Sequence, residues 1–242
     1  MTFAYQMGRY LARFAHTAAE VKACQALRQR CFFGSDGFDC DQFDAAARHL
    51  IVQDAHGRCV ATARLFDWAD GPSAQAGYAA QFYDLSALSG CQSPMVELGR
   101  VCVAPEVMDA DVLRTVWGAL TGHVDRTRAT MLFGCTSFAG VDPVPYGQAL
   151  ARLQRRHLGP AHLRPARLLP NCIRFADVPS LGRQPMPPLL RTYLAMGGWV
   201  SDHAVIDEQM QTLHVFTCLE VAKVPHARAR ALRALAPATA LP

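Results

Sequence analysis

The sequence predicts one α+β domain built on a central mixed sheet. Three observations lead there. Apolar residues fill 51% of the 242 positions and charged residues 18%, a globular balance that excludes a disordered chain. Strand-like and helix-like segments alternate along the whole length. No internal repeat or low-complexity tract interrupts that alternation.

Each element has its own signal. Thr17-Ala18-Ala19-Glu20 is a capping box, and Val21, Cys24, Leu27 and Cys31 follow it at helical spacing. The same helix sets Arg28 and Phe32 four positions apart, on one face. A turn-rich stretch, GSDGFDCDQFD, precedes two strands, HLIVQ and RCVATARLF, which Asp54-Ala55-His56-Gly57 joins as a hairpin. Residues from Trp68 to Ser93 are rich in glycine, alanine and serine and read as a long surface excursion. PMVELGRVCV is the next strand, followed by a helix from about Asp109 to Thr127. TMLFGCTSF reads as a buried strand. Asp142-Pro143 opens a further helix that closes near Gly159. A basic, proline-broken stretch then leads to PPLLRTYLAMGG and to the strands GWVSDHAVI and LHVFTCLEV. The domain spans residues 1–242 and ends in a basic helical tail at about 226–242.

Composition excludes several function classes. A net charge of +4 is too small to point to nucleic acid. Nine scattered cysteines with no CxxC pair suit a reducing, cytoplasmic compartment, where thiols serve as small hydrophobes. The N-terminal residues show no signal-peptide pattern, and nothing approaches the roughly 20 apolar residues of a membrane span. The histidines lack metal-ligand spacing, so no metal site is expected.

PMVELGRVCV raises its own question, because a core strand seldom holds opposite charges without a partner or a task. Glu97 and Arg100 read equally as a structural ion pair and as catalytic groups. In a regular strand they face opposite sides, so a β-bulge is expected near Leu98-Gly99. Asp41 and Asp44 fit helix caps as well as a site. Arg64 fits an edge charge, Phe32 the core, and Cys135 a small buried hydrophobe.

Four stretches, in order, carry a resemblance. They are Leu27-Arg28-Gln29-Arg30-Cys31-Phe32; Phe38-Asp39-Cys40-Asp41-Gln42-Phe43-Asp44 leading to His49-Leu50-Ile51-Val52; Val60-Ala61-Thr62-Ala63-Arg64-Leu65; and Glu97-Leu98-Gly99-Arg100. Together the set resembles the acyl-carrier-protein-dependent N-acyltransferases of ornithine-lipid synthesis, a GNAT-like family with the acyl-homoserine-lactone synthases as cousins. Leu132-Phe133-Gly134-Cys135-Thr136-Ser137-Phe138 and PPLLRTYLAMGGWV resemble the lipid-forming branch. After Asp44 the family's Cys-Asp pair is replaced by Ala47-Arg48, which brings glutamine forward as an alternative acceptor. A lactone synthase and a non-catalytic acyl- or carrier-binding module are the further alternatives.

The resemblance implies a GNAT-like fold: a mainly antiparallel sheet, splayed in its middle and flanked by helices. It implies transfer of a 3-hydroxyacyl chain from acyl carrier protein to the α-amino group of an amino acid, giving a lyso-aminolipid. An ammonium has no lone pair, so a base must take its proton, and Glu97 is the expected base. Arg100, Asp41 and Asp44 complete the expected catalytic set, with Arg28, Phe32, Arg64 and Ser137 binding substrate. No bound cofactor is expected, since 4′-phosphopantetheine arrives on the carrier. The stretch Ala104-Pro105-Glu106-Val107-Met108-Asp109-Ala110-Asp111 lacks glycine and carries three acids, a poor cradle for the diphosphate of coenzyme A. Arg152, Arg155 and Arg156 are expected to dock the acidic carrier. The basic C-terminal helix is compatible with peripheral contact at the inner membrane.

Overall fold

The computed structural model describes residues 4–235. In chain order the strands and helices are β1 (Ala4–Met7), β2 (Tyr10–Phe14), α1 (Ala18–Phe33), β3 (Arg48–Gln53), β4 (Cys59–Trp68), α2 (Gly71–Ala74), β5 (Tyr83–Asp84), β6 (Met95–Val103), α3 (Ala110–Thr127), β7 (Met131–Ala139), α4 (Gly147–Arg156), β8 (Ala166–Arg167), β9 (Cys172–Arg174), α5 (Pro188–Ala195), β10 (Trp199–Asp207), β11 (Thr212–Glu220) and α6 (His226–Leu235). The tail expected at 226–242 is a helix over His226–Leu235, and residues 236–242 lie outside the described residues.

Two compact units share the chain. The first takes residues 1–66, 98–128 and 226–242, and the second takes 67–97 and 129–225. Strands β4 and β6 each run across a boundary, so no linker marks either unit in the sequence.

In the first unit, β1, β2, β3 and β4 pair antiparallel in sequence order. Helix α1 begins at the capping box: the Thr17 hydroxyl accepts from the Glu20 N–H, and the Glu20 carboxylate accepts from the Thr17 N–H. Arg13 on β2 donates to Glu20 at 2.6 Å, tying the helix start to the sheet. Val60 to Phe66 are buried without alternation, so β4 is covered on both faces. The β1–β2 hairpin has no counterpart in the sequence reading.

The second unit pairs β6 with β7 in parallel, then β7, β11, β10 and β9 antiparallel. The β6–β7 ladder consists of Met95 with Met131, Val96 with Leu132, and Glu97 with Phe133, and it stops there. Across both units the pairing is mixed and mainly antiparallel, as expected.

The stretch from Trp68 to Ser93 is not the surface excursion that the sequence suggests. Ala74, Ala79, Tyr83, Leu85 and Leu88 are fully buried and join Met95, Phe133 and Phe216 in one core cluster. Their spacing follows neither the helical nor the strand period, because the segment is made of single turns, and this hid their burial. Helix α4 begins at Gly147 rather than at Asp142-Pro143, which instead leads into a 3-10 turn over Val144–Tyr146.

Candidate functional site

The charged residues of the first unit converge. Arg28, on α1, is 0% exposed. Its Nε donates to Asp39 Oδ2 at 2.8 Å, while Nη1 and Nη2 form a fork onto Asp44 at 2.9 and 2.8 Å. Nη2 also donates to the Asp39 carbonyl. From β4, Arg64 Nη1 reaches Asp41 Oδ1 at 2.6 Å and Asp44 Oδ1 at 3.0 Å. From β6, Arg100 Nε reaches Asp39 Oδ2 at 2.9 Å, and Nη2 lies 3.5 Å from Asp41. Three guanidiniums and three carboxylates thus balance, which is what permits their burial. Gln25 adds a donor to Asp44 at 3.1 Å, and His49 Nε2 lies 3.1 Å from the Asp44 carbonyl.

Electrostatics follow from that packing. Burial raises the Asp44 carboxyl, but Arg28 and then Arg64 overcome it and hold the group well below the ordinary carboxylate range. Burial also holds the His49 imidazole below its usual value, against the pull of Asp44. Asp41 has the most exposed side chain of the three acids, at 22% against 7% for Asp39 and 6% for Asp44. It is therefore the cluster's outward carboxylate.

The structure brings Arg28, Asp41, Asp44, Arg64 and Arg100 together as the sequence set implies. Arg64 is no edge charge, being 1% exposed. Arg28 and Arg64 both donate to these carboxylates, and the Arg64 guanidinium also lies over the Phe66 ring at 5.6 Å. Sequence reasoning gave Asp39 no role, although it bridges Arg28 and Arg100. The acidic spacing 39, 41, 44 was the available signal. Phe32 is half-buried against Leu27, Cys102 and Ala104.

Next to the Leu98-Gly99 step, where a β-bulge is expected, Arg100 takes a left-handed backbone conformation. Its φ is +51°. A left-handed residue with a side chain costs about 1–2 kcal/mol, and the ion pair to Asp39 opposes that cost.

Glu97 belongs to the second unit and is 2% exposed. Its Oε1 accepts from the Ala79 N–H at 2.6 Å, and Oε2 accepts from the Tyr78 N–H and the Trp68 indole N–H, both at 3.2 Å. Gly77 makes this possible, because a Cβ there would stand 2.2 Å from Glu97 Oε2. Ser137 lies exposed on β7 opposite His214. Arg152, Arg155 and Arg156 are exposed on α4.

The acidic stretch before α3 supplies that helix's cap. Asp109 caps it, accepting from the Asp111 N–H at 2.9 Å. The same carboxylate takes Arg9 at 2.8 Å and the Tyr10 hydroxyl at 3.0 Å. Its positive end is thus already occupied by an anion from its own chain.

Comparison with known proteins identifies the family. Residues 23–118 match the family model described as an acetyltransferase (GNAT) domain. An L-ornithine N(alpha)-acyltransferase of Rhodobacter capsulatus is 31% identical, over 87% of this chain and 90% of that one. One from Brucella abortus is 29% identical, over 90% and 87%. An N-acyl amino acid synthase from uncultured soil microbes shares the fold at a TM-score of 0.54 and 10% identity, over 91% and 96% of the two chains. The protein belongs to the L-ornithine N(alpha)-acyltransferase family of GNAT-type acyltransferases.

Proposed function

We propose that this chain moves a 3-hydroxyacyl group from a thioester on acyl carrier protein to the α-amino group of L-ornithine, releasing the carrier thiol and a lyso-aminolipid. The relatives' shared name is the observation that carries the acceptor. Glu97 takes the proton that the α-ammonium must lose, directly or through water, so that the nitrogen lone pair can attack the thioester carbonyl. Arg100, three residues along the same strand, clamps the amino acid's carboxylate. Asp41 meets an ammonium group, being the acid that the cluster leaves most exposed. Arg28, Arg64, Asp39 and Asp44 position these two. Phe32 and Ser137 are assigned to substrate contact.

The capped start of α3 supports a carrier-borne donor, because coenzyme A brings a diphosphate and protein-bound pantetheine only one phosphodiester. Arg48 gives no reason to prefer glutamine. It is exposed, unlike the fully buried Arg28 and Arg64, and stacks over the Phe14 ring at 5.5 Å.

Purified enzyme tests the reading. It is offered a 3-hydroxyacyl carrier or the matching acyl-coenzyme A, with ornithine or glutamine, and product is read by mass spectrometry. Acyl-ornithine formed from the carrier is the expected result. Product only from coenzyme A refutes the donor, and product only from glutamine refutes the acceptor.

A further inference from the structure

Helix α4 ends in a basic group that the acyl-transfer chemistry does not use. Arg152, Arg155 and Arg156 line a cleft of about 440 Å³ together with Gln148 and Ser180. A neighbouring cleft of about 540 Å³ adds Arg183 and Arg191, with Ala149, Met186 and Leu194 as an apolar lining. Among the described residues no carboxylate lines either cleft. His157, also in the lining, reports the same field: burial, and then Arg152 and Arg156, hold its imidazole below the ordinary value.

In sequence, Leu181, 78% exposed, lies between Ser180 of the first cleft and Arg183 of the second, and Val144 is 47% exposed. These are not loose loop tips. Gln148 donates to the Gly182 carbonyl at 3.0 Å, and Gln184 donates to the Pro145 carbonyl at 2.9 Å. A Cβ on Gly182 would lie 2.0 Å from the Val144 carbonyl oxygen. The two segments are therefore clasped together, and the clasp carries both exposed apolar residues within a few positions in sequence of cleft-lining Gln148, Ser180 and Arg183.

We propose that this face of the second unit docks on an anionic membrane surface, with lipid phosphates in the two arginine clefts and Leu181 and Val144 in the acyl boundary. A membrane offers what the face lacks: dense negative charge together with an apolar layer. The clefts suit small anionic head groups, whereas a partner helix is about 10 Å across. No helix among the described residues is long and apolar enough to cross a membrane, so this contact is peripheral. The proposal rests on the patch alone and stands or falls separately from the choice of acceptor or donor.

Flotation with vesicles tests it, using the full chain and phosphatidylcholine with or without phosphatidylglycerol. The wild-type protein floats with the anionic vesicles only, and added salt weakens the association. Each arginine near such a surface strengthens binding about fivefold, so the R155E/R156E pair weakens it roughly 25-fold or more. The R183E/R191E pair has a comparable effect, and Leu181→Ser gives a smaller loss that keeps the salt dependence. Circular dichroism verifies that each variant is folded. Absence of anionic-vesicle binding overturns the proposal, as does equal binding by wild type and both double variants. Binding to an acidic carrier protein that the same variants abolish, with no vesicle binding, also overturns it and gives the face to a protein partner.

Discussion

Strand β6 hands its two charges to different kinds of partner. Arg100 enters an ionic lattice in which Arg28, Arg64, Asp39, Asp41 and Asp44 neutralise one another through side chains from α1, β4 and the loop between α1 and β3. Glu97 is gripped by N–H groups from one segment, Trp68 to Ala79. A lattice of paired ions is rigid and costly to cut, since removing one member strands its partner in a low dielectric. The described donors to Glu97 are N–H groups, which fix the position of its carboxylate oxygens. On the proposed reading, the first arrangement positions substrate and the second moves a proton.

The largest stability effect is expected at the centre of the lattice. Arg28→Met leaves Asp39 and Asp44 without their main cation and costs about 3–5 kcal/mol, read as a lowered urea midpoint. A loss within the range of surface substitutions would show that the lattice is not the anchor of the first unit.

Acidification attacks the lattice next. The Asp44 carboxyl is depressed in the folded state, so its stabilisation is fully present above the unfolded value near 4 and is lost as pH falls below it. His49, held neutral by burial, begins to oppose folding as pH drops below about 6.5. Stability should therefore decline gently from there and steeply below pH about 4. In Asp44→Asn, itself less stable, the steep part should flatten. An unchanged acid limb would assign it elsewhere.

Gly77→Ala acts on the other arrangement. The added methyl must displace the Glu97 carboxylate, at about 1–3 kcal/mol of overpacking, and kcat should fall more than KM for ornithine rises. Smaller still is Trp68→Phe, which removes one of the three described donors and costs about 1 kcal/mol. If it abolished activity, the indole itself would need a role in the reaction.

Local chemistry made much of this legible. The Thr17 capping box and the Asp54–Gly57 turn involve neighbours in sequence, and each stands where the residues put it. The ordered motifs likewise flagged Asp41, Asp44, Arg64, Glu97 and Arg100 before any coordinates. What escaped depends on distant partners. Charge alone places Arg28 and Arg64 on a surface, and only the three aspartates make their full burial tolerable. The burial of the 68–93 segment and the 3-10 entry to α4 were invisible for the same reason, being set by tertiary packing rather than by period. The two units hide too, because their boundaries fall inside strands.

The most direct measurement is the single-turnover rate of acyl transfer to ornithine by Glu97→Gln, with folding verified by its urea midpoint. The account predicts a folded variant slowed by about 10²–10⁴-fold, the usual worth of a general base, with little change in KM for the carrier. Transfer at the wild-type rate would contradict it and leave Glu97 as a clamp on the Trp68–Ala79 segment alone.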